Sequence, residues 1–156
     1  MSQPLPAEVI TLLGDPETVK ILGTVSLDGV PHVVSKGSIH AGADGNIHLL
    51  QVLEHSQSNR NLTHSIWFDR KVTIYLRGKQ GISYQIKGHP LRNIIAGPLF
   101  EEHYTKLRAR LGDVDLAGVW IIEPDEVINE TGAFRQAQEA ERNPYLLHLD
   151  RLAKPA

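Results

Sequence analysis

Two Asp-Gly pairs, Asp28-Gly29 and Asp44-Gly45, separate three strand-like runs between Lys20 and Leu53. Asp-Gly is the pair that a two-residue hairpin turn with positive φ prefers. Connections this short cannot hold the helix that a parallel crossover requires, so neighbouring strands must pair antiparallel. The first run, Lys20 to Ser26, is rich in apolar and β-branched residues. The second, Pro31 to His40, alternates, with Val33, Ser35, Gly37 and Ile39 on one face and Val34, Lys36, Ser38 and His40 on the other. The third, Asn46 to Leu53, is apolar on both faces, as expected of a strand that lines a barrel and meets a partner subunit on its outside.

The rest of the chain continues this pattern. Pro6 to Leu13 suits a short helix ended by Gly14. Ser56 to Ser65 carries the capping types Ser56, Ser58, Asn59 and Asn61, and one or two helical turns are expected there. Lys71 to Arg77 and Ile82 to Pro90 alternate as strands around a turn at Gly78 to Gly81. Pro98 to Leu111 is the clearest helix, opened by Gly97-Pro98 and closed by Gly112, with Phe100, Tyr104, Leu107 and Leu111 on one stripe. Val119 to Ile122, with the later Val127 and Ile128, predicts a last strand interrupted or ended by Pro124. From Thr131 a charged helical segment leads into a tail with Asn143-Pro144 and Leu146-Leu147, either loosely attached or docked on a second subunit. The expectation is one mainly β domain over residues 1–156, an antiparallel barrel at about 18–129 with one prominent helix packed on it, and a C-terminal extension at 130–156.

A chain of 156 residues that is 41% hydrophobic can bury one continuous core. The absence of cysteine excludes disulfides and thiolate metal sites, and favours the cytoplasm. The opening MSQPLPAEVITLLG lacks the basic start and apolar run of a secretory signal, and no segment reaches the ~18 apolar residues that span a bilayer. Membrane insertion is not expected. The net charge of -2 gives no reason to expect nucleic acid, yet Arg60 to Arg110 holds ten Lys/Arg against three Asp/Glu. That basic middle could hold a small anion.

A phosphate needs several donors at one point, and a helix N-terminus supplies free N–H groups and a favourable dipole. Ser56 to Asn61 provides such a terminus directly after a strand, with Ser56, Gln57, Ser58 and Arg60 as side-chain donors. The plainer alternative is a capped surface helix. Lys36 sits mid-strand between the small residues Ser35 and Gly37, where a lysine must reach solvent or an anion. Low side-chain bulk there would let a flat ring approach the strand backbone.

Three stretches resemble one known family. VKILGTVSLDGVPHVVS resembles the opening of the FMN-binding split β-barrels related to pyridoxamine 5'-phosphate oxidase, HLLQV followed by SQSNRNL their strand-to-helix phosphate segment, and ISYQIKG the strand that completes the barrel. The resemblance implies an antiparallel split barrel of about six strands and a homodimer with FMN at the subunit interface. Carried over by position, it implies cofactor contacts from Val34, Ser35, Lys36 and Gly37 on the second strand, Gln51 and Val52 on the third, and Gln57, Ser58 and Arg60 beyond it. Family members often carry a lysine, or an Arg-Lys pair, at the positions of Gln57 and Ser58; here the charge would fall to Arg60, Lys36 or a lysine of the partner. The implied activity is flavin-dependent oxidation or reduction of a small molecule. The alternatives are a module of the same fold that holds flavin, a deazaflavin or haem without turnover, and a structural dimer without cofactor.

Haem would need an axial ligand, for which His40, His48 and His55 are available. His32, His40 and His48 lie on neighbouring strands without the helical His-x-x-x-His or carboxylate-flanked spacing of zinc sites, so solvent-facing histidines and no metal are expected. The nucleophile elbow, the phosphate loop and the dinucleotide Gly-x-Gly-x-x-Gly fingerprint are absent, which excludes hydrolase, kinase-like and Rossmann assignments. Trp67, Phe68, Tyr75 and Tyr84 are expected in the core or an interface rather than stacked on a ring.

Overall fold

The connection from Ser35 to His40 decides the shape of the molecule. In the computed structural model, which describes residues 2–144, one sheet of seven antiparallel strands contains β1 (Val19–Val25), β2 (Pro31–Ser35), β3 (His40–Ala41), β4 (Ile47–Gln51), β5 (Val72–Arg77), β6 (Ser83–Ile94) and β7 (Gly118–Asn129). Their order is β2-β1-β5-β6-β7-β4-β3, so the two edges are strands adjacent in sequence. Laid flat at ~4.8 Å per strand, the edges would lie ~29 Å apart. Five residue steps span at most ~18 Å. The sheet must therefore curl until its edges approach, which makes the barrel.

This corrects the expected strand at 31–40. It is two strands that join opposite edges, and the bend at Lys36 to Ile39 breaks the alternation, so Ile39 is buried in the core while Val33 on the same expected face is exposed. The two Asp-Gly turns form as expected, with Gly29 and Gly45 both at φ 82.

Helix α1 (Ala7–Gly14) plugs the barrel with Val9, Leu12 and Leu13, which pack with Leu22, Ile39, Ile47, Leu49, Ile74, Leu76 and Trp120. Helix α2 (Gln57–Trp67) is an 11-residue helix, longer than the one or two turns expected, and touches β1, β2 and β6. Two side-chain bonds hold its first turns: Trp120 Nε1 donates to Asn59 Oδ1 at 2.8 Å, and Asn61 Nδ2 to Thr24 Oγ1 at 3.0 Å. Helix α3 (Pro98–Leu111) packs on the outside of the barrel, where Phe100, Tyr104 and Leu107 meet Leu50, Val119 and Ile121. Leu111 departs from the expected stripe and is exposed. Helix α4 (Gly132–Arg142) follows β7. Leu146-Leu147 lies outside the described residues. Among the described residues, no helix is long and apolar enough to cross a membrane.

Pro124 does not end the last strand. It sits opposite Gly88 at a register shift in the β6–β7 ladder, where a residue without an N–H is tolerated.

Tyr84, buried on β6, donates its hydroxyl to Glu8 of α1 and thereby fastens the plug to the wall. That bond, with burial, pushes the phenol up to about 12. The folded state thus holds this proton more tightly than the unfolded chain, so the stabilisation is complete below the ordinary value near 10 and is lost as pH rises toward about 12. Denaturant midpoints measured from pH 9 upward are expected to fall more steeply for the parent than for Tyr84→Phe. Parallel curves would contradict this.

Candidate functional site

The nine residues expected to contact a cofactor fall into two groups. At the corner between β4 and α2, Ser56 caps the helix, its Oγ accepting the Asn59 N–H at 3.1 Å. Gln51 is wholly buried and donates from Nε2 to the Leu53 carbonyl and to Ser56 Oγ. Ser58 is buried with its hydroxyl 3.2 Å from that of Ser56, and the Gln57 amide donates to Asn61 Oδ1. These side chains build the corner and hold it rigid rather than project from it. The backbone N–H groups of exposed Gln57 and of buried Ser58 have no acceptor among the described residues. Arg60 and Val52 are exposed beside them, and Arg60 has no ion-pair partner among the described residues.

The second group lies on and after β2. Val34 packs against the barrel core, whereas Ser35 and Gly37 are exposed. Lys36 is half-buried in the bend, without a carboxylate partner among the described residues, and burial lowers its pKa. The bend is tied to β4 by the Ser38 hydroxyl, which donates to the Leu50 carbonyl at 3.0 Å. Among the described residues the edge strand β2 pairs only with β1, so its other side presents backbone donors and acceptors that no other described strand takes up. The outer face beside it is apolar: Ile21, Gly23, Val33, Thr73 and Tyr75 line a shallow groove of about 260 Å³. Trp67 and Phe68 at the end of α2 are also exposed, 78% and 57%, and so lie outside the core.

A feature without a local sequence signal lies between α1, the bend and α3. A cleft of about 400 Å³ is lined by Gly14, Lys20, Gly37, Ser38, His40, Leu50, His103, Lys106 and Arg110 among others, with no carboxylate among the described residues of its wall. Lys20 is buried and donates from Nζ to the Leu13 carbonyl at 2.7 Å; burial lowers its pKa, and Asp15 partly offsets this. Lys106 pairs with Glu102 at 2.5 Å. Burial also pushes His40 and His103 below the ordinary histidine range. His40 and His48 are not both solvent-facing, as the spacing had suggested: His48 is 5% exposed and His40 half-buried. They are direct partners across the β3–β4 ladder, and α3 lays His103 over them. Eight and 55 positions separate these residues in the chain, so no motif could announce them.

No protein-family model matches the sequence, and no curated protein sequence does. Solved structures do match the fold. HupZ of Group A Streptococcus is 18% identical, with 82% of this chain and 95% of that one covered and a TM-score of 0.68. An FMN-binding protein from Syntrophomonas wolfei is 10% identical over 78% of this chain and 82% of that one, with a TM-score of 0.65. HutZ, the haem storage protein from Vibrio cholerae, is 12% identical over 81% and 95%, with a TM-score of 0.58. Such identities speak to architecture alone, and one architecture here carries FMN in one protein and haem in another. Its curled seven-stranded antiparallel sheet, plugged by α1 and flanked by α3, gives this chain the split-barrel fold of the pyridoxamine 5'-phosphate oxidase-like proteins.

Proposed function

We propose that this chain binds FMN as a homodimer and acts as a flavin-dependent oxidoreductase on a small molecule. The observation that carries this is the N-terminus of α2, where two backbone N–H groups have no acceptor among the described residues and Arg60, exposed within the first turns, has no ion-pair partner among them. Converging donors at a helix start suit a phosphate, and the dipole adds to them. Because Gln51, Ser56 and Ser58 hold one another, this corner is set before any ligand arrives and costs little ordering on binding. The free edge of β2 offers N–H and C=O groups to the polar rim of a ring, and Ser35 and Gly37 keep the approach open. Lys36 would place positive charge near that rim.

Bound FMN would supply hydride or electron transfer, while the protein positions and shields it. A second copy of this chain, seated on the apolar face of Ile21, Val33 and Tyr75, would exclude water from the ring. The same corner suits the phosphate of a deazaflavin. A haem-binding reading stays open through the histidines at the cleft, since His40 lines it.

Titration with FMN tests the proposal. Saturable quenching of flavin fluorescence is expected, and Arg60→Ala should weaken it by about tenfold or more, ~1.4 kcal/mol or above. A protein that stays colourless at saturating FMN and leaves the fluorescence unchanged contradicts the proposal. A Soret band on adding haemin, with no flavin response, would favour haem. Sedimentation giving a monomer at micromolar concentration would count against the intersubunit arrangement.

A further inference from the structure

We propose that His40, His48 and His103 bind one divalent first-row transition-metal ion of the zinc, nickel or copper class. The three imidazoles each offer a ring nitrogen, and these nitrogens lie within 4.8 Å of one another. The ring centroids of His40 and His48 are 5.5 Å apart, and those of His40 and His103 5.1 Å. Three bonds of ~2.0–2.1 Å in tetrahedral geometry require nitrogens ~3.3 Å apart, which rotations about the side-chain bonds can reach from this starting point.

The surroundings of the rings make the stronger case. Nδ1 of His40 is 2.8 Å from the Ser38 carbonyl, so this nitrogen donates and Nε2 keeps its lone pair. Nε2 of His48 is 3.0 Å from Asp44 Oδ1, so here Nε2 donates and Nδ1 keeps the lone pair. A carbonyl or carboxylate behind the ring, fixing tautomer and orientation, is the arrangement that metal-binding histidines carry. Asp44 is itself fixed, accepting from the backbone and the side-chain amide of Asn46 at 3.1 and 3.0 Å. The β3–β4 turn is shaped around this pair: a Cβ at Gly42 would fall 2.3 Å from His48 Nε2 and 2.5 Å from Asp44 Oδ1.

His40 and His103 line the basic cleft, so a fourth coordination position would open toward it. Three imidazoles with one open position form the donor set of a catalytic rather than a purely structural ion. Lys20, Lys106 and Arg110 in the same wall suit an anionic fourth ligand, such as a carboxylate or phosphate group. The site rests on β3, β4 and α3 rather than on the α2 corner, so its failure and the failure of flavin binding are read separately.

The test uses tag-free full-length chain, stripped with a chelator and titrated with Zn²⁺ by calorimetry and with Co²⁺ by visible absorption. One ion per chain is expected, with the intense Co²⁺ bands of a tetrahedral site. His103→Ala and Asp44→Asn should each weaken binding at least about tenfold, and His32→Ala should leave it unchanged. Circular dichroism melts establish that each variant folds. Failure of the parent to bind saturably, or binding by folded His103→Ala and Asp44→Asn as tight as the parent's, would overturn the proposal.

Discussion

Gly88→Ala is expected to destabilise the fold by about 3 kcal/mol or more, visible as a large drop in the denaturant midpoint. A Cβ at this position would lie 2.3 Å from the Glu123 carbonyl oxygen and 3.1 Å from its carbon. Both are backbone atoms of β7, and neither can rotate away as a flexible side chain would. The clash falls where β6 and β7 shift register around Pro124, along the longest ladder of the sheet. Relief would require β7 to move away from β6 and take with it Val119, Trp120, Ile121 and Ile122, which serve both the barrel core and the layer beneath α3. A loss under 1 kcal/mol in equilibrium unfolding would mean that the ladder yields more easily than this packing allows.

Trp120→Ala should cost about 3–5 kcal/mol, the usual range for removing a large buried aromatic side chain. Trp120 is 2% exposed, and its indole also donates to Asn59 in the first turn of α2. The variant therefore tests stability and the candidate phosphate corner together. Trp120→Phe separates the two effects: most of the ring volume stays, and the lost hydrogen bond should cost about 1 kcal/mol. If the corner holds FMN, Trp120→Phe should weaken flavin binding more than its small effect on stability implies, because the start of α2 loses its tether to β7. Equal flavin affinity in the parent and Trp120→Phe would show that the corner is positioned by the backbone alone.

Much of the local structure could be read from the residues. Asp28-Gly29 and Asp44-Gly45 placed the hairpins, and Gly97-Pro98 with Gly112 bounded α3, because turns and helix ends depend on the φ preferences of single residues. The antiparallel barrel followed from connections too short for crossovers. The alternation of 31–40 failed where the chain changed sheet edges, since a bend inverts which face points inward and leaves no mark on the pattern. Pro124 interrupts the ladder register but does not end the strand, for a related reason: the residue opposite it, Gly88, is 36 positions away.

The candidate sites show the same division. Gln51, Ser56, Ser58 and Arg60 were recognisable as polar residues at a strand-to-helix junction, but their types could not tell which of them turn inward. The structure commits Gln51 and Ser58 to the corner itself, leaves the Gln57 and Ser58 N–H groups without an acceptor among the described residues, and exposes Arg60. The histidine group was invisible, because ladder register and helix packing, rather than spacing, bring His40, His48 and His103 together. By itself the sequence determined the turns, the helix ends, the antiparallel pairing and the candidate corner, all of which depend on residues within a few positions of one another. Only the tertiary structure decided barrel closure, the inward or outward aim of each polar side chain, and the meeting of three distant imidazoles, because these are set by how a curled sheet satisfies its edges and its core at once.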